Sequence, residues 1–220
     1  MTTGWDERIL VVAPHADDET LGCGGLLISR DSREHRVLVM SLGKTPPSPG
    51  EQTRAEMDLA MQRLGVRGAT VAFPGSQGLL DTLPLASLVR VIDQAIDDFR
   101  PTSLFVPYAS HHQDHQAVYR ATLAALRPRA STIGIRLVAL YEYPYAASWP
   151  PPELPGGKFH LPLSERVLAA KLLTLAAYDS QVGRPGTWLD VARAETWARM
   201  RGAEIGVPAA EAFWLVRGLL

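Results

Sequence analysis

The chain has 220 residues, 46% of them hydrophobic. That is enough for one sizeable core and favours a single domain over 1–220. Its 22 basic and 23 acidic residues leave a formal net charge of -1, which argues against nucleic acid held on a basic surface.

The N-terminus, MTTGWDER, is polar and acidic and lacks the pattern of a secretory signal. An apolar strand is expected at 9–13 (ILVVA), then a helix from Asp18 to Arg30. Further strands are expected at 36–42, 70–73, 103–108, 136–143 and 212–217. Their Val, Ile and Leu runs without polar alternation suit strands covered on both faces. Helical patterns fill the intervals at 51–64, 84–99, 114–126, 163–178 and 188–204. Strands alternating with helices imply an α/β fold, a mostly parallel sheet flanked by helices in the Rossmann-like manner. Two stretches, 43–50 and 144–160, are too rich in proline and glycine for regular elements. The second is long enough for a lid or a substrate loop, in which Trp149 could stack on a sugar ring, or for a packed crossover. No run approaches the length that spans a bilayer, and the single cysteine, Cys23, excludes an intrachain disulfide. A soluble cytoplasmic protein is expected. The C-terminal WLVRGLL leaves a homo-oligomer open.

Chemistry concentrates at two places. VVAPHADDETLGCGG (11–25) sets His15, Asp17 and Asp18 just past the first strand. ASHHQDHQA (109–117) sets His112, Asp114 and His115 just past the fourth. Ligands of open parallel sheets bind outside the carboxyl ends of the strands, and right-handed crossovers bring both loops to that edge. His and Asp side chains suit a divalent metal, and a catalytic zinc often takes three protein ligands. His15 and Asp18 can reach one ion across a tight turn, with His115 closing the set. Asp17, His112 and Asp114 then remain for proton transfer and charge stabilisation.

These motifs resemble those of the PIG-L/LmbE-like zinc deacetylases. The family's His-Pro-Asp-Asp-Glu reads here His15-Ala16-Asp17-Asp18-Glu19, and its His-x-Asp-His reads His112-Gln113-Asp114-His115. TRAEMDLAMQRLGV (53–66), KLLTLAAYDSQ (171–181) and EAF (211–213) are similar to further family segments in the same order. The resemblance implies an LmbE-like fold and one zinc held by His15, Asp18 and His115. It implies removal of an N-acetyl group from an N-acetylglucosamine-type sugar by metal-activated water, with Asp17 as general base. His112 would be the acid or oxyanion donor, Asp114 its electrostatic partner and Arg54 a substrate contact. Ala16 replaces the usual proline, and no expected ligand is missing.

Blander readings stand beside these. An aspartate turn can simply cap a helix. Glu19 suits the first-turn dipole, Cys23 a small buried position, and Gly22, Gly24 and Gly25 close helix packing rather than a dinucleotide loop. Rival functions are an amidase for another sugar or thiol conjugate, a sugar- or nucleotide-binding module without catalysis, and a magnesium phosphoryl-transfer enzyme.

Overall fold

The computed structural model describes residues 8–30, 34–42, 49–144, 157–183 and 189–219. Among these, all seven strands join one sheet. The chain runs β1 (Ile9–His15), α1 (Asp18–Ser29), β2 (His35–Ser41), α2 (Pro49–Leu64) and β3 (Gly68–Val71). It continues through α3 (Leu85–Phe99), β4 (Ser103–Pro107), α4 (Gln113–Ala125) and β5 (Leu137–Tyr141). β6 (Lys158–Leu163), α5 (Glu165–Leu175), α6 (Val191–Ala203) and β7 (Ala209–Gly218) complete it.

The sheet order is β3-β2-β1-β4-β5-β7-β6. The first five strands are mutually parallel, as expected, while β7 runs antiparallel to both β5 and β6. Alternation along each central strand splits the core into two layers. Ile9, Val11 and Ala13 of β1 face Leu21 and Leu27 of α1 and Met57 and Met61 of α2. Leu10 and Val12 face the other way, toward Leu88, Ile92 and Ile96 of α3 and Val118 and Ala121 of α4. Burial on both faces explains the unbroken apolar runs of the sequence.

Three expectations are corrected. Lys158–Leu163, assigned to a loop and to the start of a helix, forms β6. Its proline, Pro162, is tolerated because β6 lies at the sheet edge. The strand expected at 70–73 is Gly68–Val71, although Ala72 and Phe73 still donate to Val39 and Met40 carbonyls. The helix expected at 163–178 is shorter: Ser164 caps it, accepting from the Val167 N–H at 3.3 Å. The stretch 43–48 and the core of the second loop, 145–156 with Trp149, lie outside the described residues.

The glycines of α1 are packing positions. A Cβ on Gly22 would lie 2.0 Å from Tyr141 Cδ2, and one on Gly25 would lie 2.6 Å from Leu163 Cδ2. The missing side chains let α1 settle against β5 and β6. Cys23 is buried in the same face.

Candidate metal centre

The strand order reverses between β1 and β4, whose carboxyl ends deliver the two polar loops side by side. His15 ends β1, and Asp17 precedes the first turn of α1. From the second loop, His112 caps α4: its Nδ1 accepts from the Asp114 N–H at 3.2 Å. Asp114 and His115 occupy the first turn of α4 and are buried.

The two loops interlock through side chains. His15 Nε2 lies 2.8 Å from Asp114 Oδ2. On the other side of the ring, His15 Nδ1 lies 3.4 Å from Asp18 Oδ2, and His115 Nε2 approaches the same oxygen at 3.3 Å. The three imidazoles surround one point, with ring centroids 5.0, 5.3 and 5.2 Å apart. Two overlapping groups each offer three possible ligand atoms within 4.8 Å of one another. They are the buried set His15, Asp18 and His115, and the set His15, His112 and Asp114.

Charge and burial compete here. Burial pulls the His15 imidazole down, but hydrogen bonds to Asp114 and Asp18 and the charges of Asp18 and Asp17 outweigh it, holding the group at about 9. Burial also opposes ionisation of Asp18, yet the charge of His115 and hydrogen bonds to both histidines carry its carboxyl well below the usual range. Asp17 goes the opposite way, pushed well up by burial and by the charges of Asp18 and Glu19. His112 is pushed down by burial and by the His115 and His15 charges. Adjacent carboxylates, Asp17 and Asp18, are thus driven to opposite protonation preferences.

Asp17 has φ 128° and ψ -31°, outside the usual space for a residue with a side chain. Such backbone costs about 1–3 kcal/mol and persists only where the surroundings enforce it. Its carbonyl accepts from Thr20 and Leu21 at 3.0 and 2.8 Å, and its N–H donates to Glu19 Oε2 at 3.1 Å.

The carboxylate of Asp114 is held by His15 and by the N–H groups of Gly78 and Leu80. No bond from this carboxylate to the His112 ring is among these, although its charge raises the His112 ring's proton affinity. Arg54 makes none of these contacts. Half-exposed on α2, it pairs with Asp58 at 3.1 Å.

Residues missed by sequence reasoning surround the cluster. Tyr143 sets its ring 4.7 Å from that of His115 and shares a 2.6 Å hydrogen bond with Ser110, whose Oγ accepts from the His112 N–H. Glu19, expected only to favour the helix dipole, is fully buried and accepts from Thr20 and Tyr178 hydroxyls at 2.6 and 2.7 Å. The local pattern of the first turn could reveal Glu19; nothing local reveals Tyr143.

The fold and the sequence together match a known family. The family model described as PIG-L, GlcNAc-PI de-N-acetylase, matches residues 10–126, and the chain belongs to that family. A curated relative is the probable N-acetyl-alpha-D-glucosaminyl L-malate deacetylase 2 of Bacillus subtilis (strain 168). It is 27% identical over 159 residues, covering 59% of this chain and 68% of the relative. Among solved structures, the conserved protein TT1542 from Thermus thermophilus matches with a TM-score of 0.74 and 26% identity over 97% of this chain and 96% of its own. The N,N'-diacetylchitobiose deacetylase of Pyrococcus horikoshii shares the fold, with a TM-score of 0.75 and 20% identity over 96% of this chain and 84% of its own.

Proposed function

We propose that the protein is a zinc-dependent N-deacetylase acting on an N-acetylglucosamine-type sugar or glycoconjugate. The observation that carries this is the convergence of His15, Asp18 and His115 beside a buried Asp17 at the sheet's switch point. Family membership supports the reaction class, and the Bacillus relative's name supports an N-acetylglucosaminyl substrate. The donor set and its spacing fit zinc. Zinc bonds of about 2.0–2.1 Å at tetrahedral angles put neighbouring ligand atoms about 3.3 Å apart. The two nitrogen-to-Asp18 distances here are 3.4 and 3.3 Å. They are longer than the usual charged hydrogen bond of about 2.7–2.9 Å, so these contacts are long and match the spacing of neighbouring zinc ligands.

His15, Asp18 and His115 would hold the ion, and Asp114 would fix the His15 ring from behind, as carboxylates do for metal-bound histidines. When bound, zinc supplies Lewis-acid chemistry, acidifying a water and polarising an amide carbonyl. Asp17 takes the proton from the attacking water. Its burial beside two carboxylates raises its affinity for that proton. His112, half-buried at the mouth of the site, faces the charge that develops on the amide oxygen. A proton then passes from Asp17 or His112 to the departing amine, leaving acetate and a free amino sugar. Arg54 lines an open cleft of about 620 Å³ with Leu42, Val71 and Pro74, beside the ends of β2 and β3, and would contact substrate there.

The test is acetate release by zinc-loaded protein across a panel of N-acetylated sugars, with Asp17→Asn alongside. The expected result is turnover of at least one N-acetylglucosamine-type compound, and an Asp17→Asn variant that keeps zinc but loses about 100-fold or more in kcat. Parental turnover by Asp17→Asn would remove Asp17 from the mechanism.

A further inference from the structure

Asp17 and Arg100 are the non-glycine residues with positive φ among the described residues, and only Asp17, at φ 128°, departs from the ordinary left-handed region. Its carbonyl is fixed by the first turn of α1, which any helix start would supply. Its N–H is fixed by the Glu19 carboxylate. That carboxylate is itself wholly buried and steadied by Tyr178 O–H at 2.7 Å, reaching from the turn after α5. Tyr178 is buried in turn, and its carbonyl accepts from Gln181 and Val182.

The segment 178–181 (Tyr-Asp-Ser-Gln) also touches two other walls. Ser180 donates through its N–H to Glu56 of α2 at 3.0 Å. Gln181 Oε1 accepts from Gln77, the neighbour of Gly78, whose N–H holds Asp114. One turn therefore reaches the Asp17 loop, the helix α2 and the loop that steadies Asp114.

We propose that Tyr178, acting through Glu19, clamps Asp17 in its unfavourable backbone conformation and so aims its carboxylate; both are positioning residues. The inference rests on the reading of Asp17 as the base. The physical reason is over-determination. A strained residue relaxes unless its neighbours forbid it, and a buried carboxylate that loses a donor shifts to find another. Deleting the Tyr178 hydroxyl leaves Glu19 Oε1 with the Thr20 hydroxyl alone, so the carboxylate can rotate and loosen the hold of its Oε2 on the Asp17 N–H. A misaimed base costs rate without weakening the metal ligands or substrate contacts.

The test uses Tyr178→Phe, which removes one oxygen and keeps the ring, with Glu19→Gln as a second variant. Three readouts are taken on the full chain: zinc content, hydrogen exchange at the Asp17 amide, and kcat and KM on the best N-acetylated sugar. Expected for Tyr178→Phe are one equivalent of zinc, Asp17 amide exchange faster by about tenfold, and kcat lower by about tenfold with KM within about twofold. In an Asp17→Asn background, Tyr178→Phe should cost no further activity. Unchanged exchange at the Asp17 amide overturns the proposal. An equal loss of kcat in the Asp17→Asn background also overturns it, because the effect would then bypass Asp17. If Glu19→Gln does not fold, Tyr178→Phe decides alone. If the parent releases acetate from no sugar, the deacetylase reading falls, while the exchange measurement still decides whether the clamp exists.

Discussion

His15 Nε2 lies 2.8 Å from Asp114 Oδ2, across 99 residues of sequence. The contact leaves Nδ1, the nitrogen facing Asp18, as the one turned toward the other candidate ligands. A carboxylate behind a ligating histidine fixes its tautomer and its direction, and its loss typically weakens metal binding about 10–100-fold. Asp114→Asn should therefore bind zinc about 10–100-fold more weakly while remaining folded, as read by chelator competition and circular dichroism. Parental affinity would show that Asp114 does not orient His15.

The same contact makes the metal-free protein sensitive to alkali. The His15 imidazole is held at about 9, above its ordinary 6.5. A raised folded-state value contributes stability that is complete below about pH 6.5 and is lost as pH rises through about 9. The shift corresponds to about 3 kcal/mol. The stability advantage of the metal-free parent over metal-free His15→Gln should shrink from about pH 6.5 to about pH 9, measured by urea denaturation. Zinc affinity should rise over the same window, because the ligand must shed its proton. A flat stability difference would place the His15 proton elsewhere.

Much of this was legible in the sequence because it is local. Apolar runs announced the central strands, and His15, Asp17, Asp18, His112, Asp114 and His115 all lie directly at strand ends. The chain partners of those residues were not legible, since Tyr178 meets Glu19, and Tyr143 meets His115, only after the sheet is assembled. β6 was hidden by its composition: KFHLPL carries a lysine, a histidine and a proline, tolerable only at an edge. The antiparallel direction of β7 has no local signature, because apolar alternation reads the same in both senses.

Glycine offers a contrast that separates packing from propensity. Gly22 sits mid-helix, where alanine is intrinsically favoured by about 1 kcal/mol. A Cβ there would stand 2.0 Å from the buried Tyr141 ring. Overpacking of this kind costs about 1–3 kcal/mol or more. Gly22→Ala should thus be net destabilising. Gly50, in the first turn of α2, has nothing within 4 Å of the same position, so Gly50→Ala should be neutral or stabilising by up to about 1 kcal/mol. Thermal melts of the two variants side by side check both signs.

Lys171 and Glu211 tie three elements together inside the protein. The Lys171 ammonium donates to Glu211 Oε1 at 2.6 Å and to the Leu21 carbonyl at 2.7 Å. Glu211 accepts in addition from the Gly25 and Leu26 N–H groups of α1. The pair thereby joins α5 and β7 to the helix that begins at Asp18. Removing one partner of a buried ion pair leaves an uncompensated charge and costs about 3–5 kcal/mol. Lys171→Met should lower the Tm by about 6–20 °C for a chain of this size. Adding Glu211→Leu should restore part of that loss, since the stranded charge disappears with it. The stabilisation given by saturating zinc should be the same in parent and Lys171→Met, because none of the candidate ligands touches the pair. A smaller zinc effect in the variant would mean that the tilt of α1, and with it the placement of Asp18, depends on this latch.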